Sequence, residues 1–342
     1  MTYALLLAGG HGERFWPRSR LKEPKQFLRL EGKKSLIQLT AERLGGAIPR
    51  NRVYVVSLAS QRRRIRQELP FLKASQIIGE PTGKNTAAAI ALGTARILKT
   101  DPSATICVFP CDQWIRDRRA FHGCLRQAIR RAEEGRSIVL FGVRPTRPEI
   151  GYGYIEVGPD GSARRFIEKP TFARAKRLLR SKGIFWNSGM FVFRGSFLMR
   201  ALKKTYPRLL KLFSSLTDGS LRRFYATLPS VSFDAGVLER LSRIECIRVG
   251  FGWDDVGSWL TLARRLVPDQ EGNQKVGIAF AVDATRNLIV SDHKHLVGLF
   301  GVSDLAVIRT EEATLVCPKS NLNQLKVFLE QLKRSKRFRS YL

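Results

Sequence analysis

Acidic side chains are scarce in this chain: 29 Asp and Glu stand against 60 Lys and Arg, a net charge of +31. Cysteine is scarce too. Five cysteines, an odd number with no CxxC pair, exclude a disulfide framework and a zinc site as the organising principle. No apolar run approaches the roughly 18 residues of a membrane span. The first apolar run is too short for a signal peptide and is followed at once by glycines and charges. The cytoplasm is therefore the expected compartment, and no membrane partner is expected. Histidine is rarer still, at four residues. His122, His293 and His295 read as surface residues, and His11 falls in a glycine loop. No Ser-His-Asp or Cys-His arrangement suggests a covalent nucleophile.

A field of this sign attracts polyanions. Yet the basic clusters at Arg62–Arg66, Arg116–Arg119, Arg174–Arg180 and Lys333–Arg339 are dispersed. None is interleaved with aromatic residues that could stack bases. They read as solvated surface, so nucleic acid is not the expected partner despite the charge.

The stretch from Leu5 to Leu30 carries the most information. The apolar run Ala4–Ala8 suits one buried strand. Gly9, Gly10 and Gly12 follow within four residues, then Arg14, Arg18, Arg20, Lys22 and Lys25. A strand that runs into a glycine-rich turn followed by cations is a phosphate-binding design. Two common phosphate motifs fail: GxGxxG would need glycine at Phe15, and GxxxxGK[ST] is absent. The string GGxGxRxWPxSR followed by PKQFL resembles instead the signature of sugar-1-phosphate nucleotidyltransferases, nearest to their mannose-1-phosphate guanylyltransferase branch. In that family the residues at the positions of Arg14 and Lys25 hold the nucleotide phosphates and act in catalysis, with Leu7, Ala8, Gly9, Gly10 and Gly12 beside the nucleotide.

Strand candidates Ala4–Ala8, Val53–Ser57, Ile77–Gly79, Thr105–Pro110 and Ser137–Val143 alternate with helix candidates Leu36–Leu44, Ser60–Leu69, Thr86–Lys99 and Arg119–Glu134. The pattern predicts an α/β fold: a doubly wound, mostly parallel sheet covered on both faces. Ligands in such sheets sit beyond the strand C-termini, so Gly9–Arg14 and Pro110–Gln113 are expected to meet at one crevice. From Gly151 the pattern changes. Tyr152–Val157 and Ala163–Glu168 look like a hairpin over Gly158–Gly161. A helix at Phe172–Ser181 and a strand at Gly189–Phe193 follow, and Ser196–Leu241 reads mainly as helix. Val267–Lys275 reads as a linker. Five short strands after it and a helix at Leu322–Lys333 make a small β-rich module. The resemblance implies a Rossmann-like catalytic domain over residues 1–266 and a module over 276–342 similar to a left-handed β-helix. No internal repeat is evident from the sequence.

The resemblance continues along the chain in order. EPTGKNTAAAIALGTA, Glu80–Ala95, is similar to the segment that holds the base, with Glu80, Pro81, Gly83, Asn85 and Thr86 on the nucleotide. Asn85 or Thr86 is expected to cap the following helix. FPCDQWI, Phe109–Ile115, resembles FPADH, whose aspartate, at the position of Asp112, is a magnesium ligand beside the nucleotide. Here Cys111 and Gln113 stand where alanine and histidine are usual. IGYGYIEV and FIEKP look like the sugar-phosphate side. Gly153 would admit the sugar, Glu168 would accept from its hydroxyls, and Lys169 would neutralise its phosphate. Asn187 in WNSGMFVF matches a sugar-contacting asparagine. In GWDDVGSW, Gly252–Trp259, the DVGSW pattern selects Asp255, not Asp254, as the second magnesium ligand.

The resemblance thus implies transfer of GMP from GTP to mannose 1-phosphate, with Mg²⁺ as cofactor and a homodimer as the assembly. No phosphomannose isomerase segment is expected from the short stretch that follows the small module. Another hexose 1-phosphate or nucleotide, a sugar-nucleotide-binding regulator, or a nucleic-acid-binding protein are the alternatives. Retention of Arg14, Lys25 and both aspartates argues against the regulator.

Overall fold

The structure is a computed structural model. It describes residues 1–10, 12–20, 23–30, 32–215, 220–291 and 294–342; His11, Lys22 and His293, singled out above, lie outside them. Packing divides the chain into two units. The first comprises Met1–Gly9 and Ile37–Trp253, the second Gly10–Leu36 and Asp254–Leu342. The signature loop that directly follows the first strand therefore packs with the C-terminal part of the chain.

Up to its last strand the chain runs β1 (Thr2–Leu7), α1 (Leu36–Leu44), β2 (Val53–Leu58), α2 (Arg62–Glu68), β3 (Ile77–Glu80), α3 (Asn85–Thr100), β4 (Thr105–Pro110), β5 (Trp114–Ile115), α4 (Arg118–Glu133), β6 (Ile138–Val143), β7 (Tyr154–Val157), β8 (Ala163–Ile167), α5 (Phe172–Arg180), β9 (Ile184–Arg194), α6 (Gly195–Thr205), α7 (Lys211–Ser215), α8 (Leu221–Ala226), α9 (Phe233–Gly236) and β10 (Ile244–Val249). The main sheet has the order β10-β6-β9-β4-β1-β2-β3, with β7 and β8 attached at β9. β1 is parallel to β2 and β4, β2 to β3, and β6 to β10. The strand cores are near-continuous apolar runs because helices cover them. α3 packs closely because its inner face is small: Ala87, Ala88, Ala91 and Ala95 are buried. A Cβ on Gly93 would lie 2.5 Å from a Leu5 methyl, so glycine sets the approach of α3 to β1.

Three expectations are corrected in this unit. The strand expected at Gly189–Phe193 begins at Ile184 and runs antiparallel to β4 and β6. Asn187, Ser188 and Gly189 are poor strand formers, but pairing with β6 and β7 overrides their propensity. β10 was not expected, because Glu245 and Arg248 interrupt its apolar pattern; the Glu245 carboxylate accepts from Ser137 Oγ at 2.5 Å and Arg131 at 3.3 Å. The helix expected over Ser196–Leu241 is several short pieces, broken first at Pro207, which starts a 3₁₀ turn.

The two-residue strand β11 (Trp253–Asp254) ends at the division between the units. Beyond it come α10 (Trp259–Ala263), β12 (Gln274–Val276), β13 (Ile278–Val282), β14 (Leu288–Val290), β15 (Leu296–Phe300), β16 (Leu305–Arg309), β17 (Thr314–Pro318) and α11 (Leu325–Arg334). β12, β14 and β16 pair in parallel, as do β13 and β15, so successive turns of chain stack as rungs. Asn273 and Asn287 occupy equivalent corners. Asn273 Oδ1 accepts from Asn287 N at 2.9 Å, and Asn287 Oδ1 accepts from Leu305 N at 2.8 Å. The expected linker is in part ordered by the same means: Gln274 and Lys275 belong to β12, and Asp269 Oδ1 accepts from Asn273 N at 2.8 Å. The final helix starts at Leu325, after a 3₁₀ stretch.

All five cysteines are free thiols. Among the described residues no helix is long and apolar enough to cross a membrane.

Candidate active site

In the first unit the candidates gather where the parallel strands end. Leu7 pairs with Pro110, and Cys111 N donates to Leu7 O at 3.1 Å. This places Ala8 and Gly9 beside the turn that carries Asp112. A Cβ on Gly9 would lie 3.3 Å from Glu80 Oε2, which brings the end of β1 against the carboxyl that ends β3. Glu80 is 3% exposed. Its Oε1 accepts from the Tyr225 hydroxyl at 2.5 Å. Burial pushes the carboxyl up to about 7, against the opposing pull of the hydrogen bonds from Tyr225 and the Lys84 backbone. Burial and the neighbouring Glu80 raise the Tyr225 hydroxyl as well.

Pro81 and Gly83 lead into α3. The expected cap is not made. Lys84 holds the N-cap position without a side-chain bond. Asn85, at φ 65°, accepts from the N–H of its neighbour Thr86 at 2.8 Å. Thr86 Oγ1 instead accepts from Phe233 N at 2.8 Å, and Ala87 N donates to Val231 O at 3.2 Å. The first turn of α3 is thus tied to a distant strand of chain, which removes the need for a local cap.

Gln113 has a structural role. Its Nε2 donates to Ser188 O, and its Oε1 accepts from Trp253 Nε1 at 3.0 Å. A neutral carboxamide can donate on one side and accept on the other. Burial raises the Cys111 thiol far above its ordinary value, which leaves it unreactive.

Among the residues expected to meet the sugar, Gly153 is required by what packs on it. A Cβ there would lie 2.9 Å from both Glu168 Oε2 and the Phe166 ring. Gly153 O accepts from Asn187 N at 2.8 Å, which brings Gly153, Glu168 and Asn187 together. Lys169 pairs with Glu168 at 3.0 Å and is held at φ 38°, a conformation costly for a side-chain-bearing residue.

Two residues here escaped the sequence reading. Asp234 Oδ1 accepts from Asn187 Nδ2 at 2.7 Å. Burial first, and Glu168 second, push its carboxyl up to about 6. The other is Tyr225, on Glu80. Both lie in the stretch that reads mainly as helix, where no motif marks them.

In the second unit the signature loop and the DVGSW turn form a cationic cluster. Gly12 has φ 68°, and a Cβ there would lie 2.2 Å from Lys25 Cβ. Gly10 has open space around it. Lys25 is 6% exposed, and its Nζ donates to Asp255 O at 3.2 Å. A Cβ on Gly257 would lie 2.6 Å from Asp255 Oδ2 and 3.3 Å from a terminal nitrogen of Arg14. Arg14 and the Asp255 carboxylate therefore converge on Gly257. Trp259 Nε1 donates to Trp16 O at 2.9 Å, and its ring packs on Phe15 at 5.1 Å. Asp254 Oδ1 accepts from Val256 N at 3.0 Å, which makes Asp254 the residue that shapes the turn.

For a divalent ion the fit is a sparse one. Among the described residues no three His, Cys, Asp or Glu side chains cluster. Magnesium usually takes only one or two carboxylates together with phosphate oxygens and waters, and Asp112 and Asp255 are carboxylates of the kind it takes.

The nucleotidyl transferase family model matches residues 3–271, and that of the MannoseP isomerase/GMP-like β-helix domain matches residues 277–332. Xanthan biosynthesis protein XanB of Xanthomonas campestris pv. campestris is 34% identical over 96% of this chain and 73% of its own. A Klebsiella pneumoniae protein named mannose-1-phosphate guanylyltransferase is 33% identical over 98% of this chain and 75% of its own. A crystal structure from Thermus thermophilus, titled a mannose-1-phosphate geranyltransferase, is 35% identical with a TM-score of 0.89, covering 97% of this chain and 99% of that one.

Proposed function

Since the chain belongs to the nucleotidyl transferase family and is an enzyme of that class, we propose that it transfers GMP from GTP to mannose 1-phosphate, giving GDP-mannose and pyrophosphate. The observation that carries this reading is the convergence of Arg14, Lys25 and Asp255 at one turn. Phosphoryl chemistry needs positioning and charge neutralisation more than proton transfer. A sugar-phosphate oxygen attacks the α-phosphorus in line, and pyrophosphate leaves. Arg14 holds the departing pyrophosphate and Lys25 stabilises charge at the α-phosphate. The buried Lys25 stem fixes its ammonium before substrate arrives, which lowers the cost of ordering it in the reaction.

The nucleotide lies along Leu7, Ala8, Gly9, Gly10 and Gly12. The turn from Glu80 through Pro81 and Gly83 to Asn85 and Thr86 reads the base. Guanine offers O6 as an acceptor and N2–H₂ as a donor, so a wrong base leaves groups of this turn unpaired. Gly153, Glu168 and Asn187 hold the sugar, and Lys169 exchanges its pairing with Glu168 for the incoming phosphate. Asp112 and Asp255 would hold Mg²⁺, which when bound offsets phosphate charge and orients phosphate oxygens. The assembly proposed with this reading is a homodimer.

Phosphorus NMR of a reaction containing the protein, Mg²⁺, GTP and mannose 1-phosphate tests the reading. The expected spectrum gains the two coupled signals of a sugar-linked diphosphate together with pyrophosphate. Unchanged GTP and mannose 1-phosphate would contradict it and favour a binding regulator.

A further inference from the structure

Asn187 is fixed at both ends of its carboxamide. Its Oδ1 accepts from Gly189 N at 3.1 Å, and its Nδ2 donates to Asp234 Oδ1 at 2.7 Å. This leaves one Nδ2 hydrogen with a set direction. Asp234 is itself held. Ser232 caps its short helix by accepting from Ala235 N at 3.2 Å, and Phe233 N and Val231 O bond to the first turn of α3. The chain from Val231 to Asp234 thus joins the helix assigned to the base with the strand assigned to the sugar.

We propose that Asp234 is a positioning residue for the sugar 1-phosphate, holding the Asn187 carboxamide where it meets the sugar hydroxyls. The inference rests on the proposed sugar site and extends it to a residue outside its motifs. The charged groups that face Asp234 are Glu168, which disfavours its ionisation, and Lys169, which favours it. Asn187 on β9 and Thr86 on α3 carry no charge. A carboxylate accepts from Asn187 without competition, whereas a protonated carboxyl presents a donor to the same pocket. Sugar-phosphate binding therefore depends on the ionised form of Asp234.

Two variants separate the roles. Asp234→Ala removes the acceptor, and Asp234→Asn retains an acceptor oxygen but no charge. In Asp234→Ala the KM for mannose 1-phosphate is expected to rise about tenfold, the equivalent of one hydrogen bond, with the KM for GTP changed less than about twofold. Asp234→Asn, neutral like the protonated carboxyl but with an acceptor oxygen, is expected to restore only part of that loss. It should also lessen the rise of the sugar-phosphate KM below about pH 6, leaving the part that comes from protonation of the substrate's own phosphate, which titrates at about pH 6 as well. Equal rises of both KM values in Asp234→Ala, or no rescue by Asp234→Asn, would overturn the proposal.

A readout independent of turnover is the Asn187 side-chain amide signal in selectively ¹⁵N-labelled protein. It should titrate near pH 6 in the parent and stay flat in Asp234→Asn. A titration that persists in Asp234→Asn would assign it to another group and overturn the proposal. Should the parent turn over no substrate pair while the amide titration follows Asp234, the functional reading fails and the positioning contact stands.

Discussion

A Cβ atom on Gly12 would lie 2.2 Å from the Cβ of Lys25. The glycine that looks like a phosphate cradle is therefore also the space into which the proposed catalytic lysine packs. Gly12→Ala must displace the Lys25 backbone or abandon φ 68°. It is expected to lower kcat on the scale of Lys25→Ala, a loss on the order of 10²–10³ for one electrostatic donor. Arg14→Ala should fall in the same range. Steady-state kinetics on protein checked for folding by circular dichroism decides this. Near-parent kcat in Gly12→Ala would show that Lys25 placement does not depend on it.

Glu80 gives a stability signature. Its folded value, about 7, lies above the ordinary 4.5, so the fold binds that proton more tightly than the unfolded chain does. The resulting stabilisation is complete below pH 4.5 and is lost as pH rises to about 7. At most it amounts to roughly 3 kcal/mol. Glu80→Gln keeps an acceptor for Tyr225 without the titration. Urea unfolding at pH 5 and pH 8 should show the parent losing more stability than the variant over that interval. Parallel changes would place the Glu80 carboxyl in water.

Much of this site was legible in the sequence, because strings such as PKQFL and DVGSW keep several residues in fixed register. The candidates Arg14, Lys25 and Asp255 were picked out that way, as were Glu168 and Asn187. What the sequence hid depends on contacts between distant segments. Thr86 bonds to Phe233 across 147 positions, and Tyr225 to Glu80 across 145, so nothing in the local pattern around Phe233 or Tyr225 marks the contact. The short strands of the C-terminal module were legible, and only their repeat was hidden, for a related reason. That repeat rests on asparagine at only two successive corners, Asn273 and Asn287, and the next corner, 18 positions on, is Leu305.

Gln113 illustrates a position where a departure from the family string is accommodated by hydrogen bonding. Gln113→Leu would leave the Trp253 indole N–H without its acceptor. The expected loss is about 1 kcal/mol for this part-buried hydrogen bond, read as a lower urea midpoint. An unchanged midpoint would mean that the indole N–H finds another acceptor.

The two adjacent aspartates should behave differently. Asp255→Asn is expected to raise the Mg²⁺ concentration needed for half-maximal rate and to lower the maximum. Asp254→Asn retains an oxygen that can accept from Val256 N, and should change both quantities little. A magnesium titration of the rate for each variant separates them. Equal effects would assign the Asp255 phenotype to turn geometry instead of metal binding.

The central claim is the choice of substrates, and the most direct measurement is the initial rate of pyrophosphate release over a grid of GTP, ATP, UTP and dTTP against mannose 1-phosphate and glucose 1-phosphate. The account predicts the highest kcat/KM for GTP with mannose 1-phosphate. Equal or faster turnover with UTP or dTTP would contradict it.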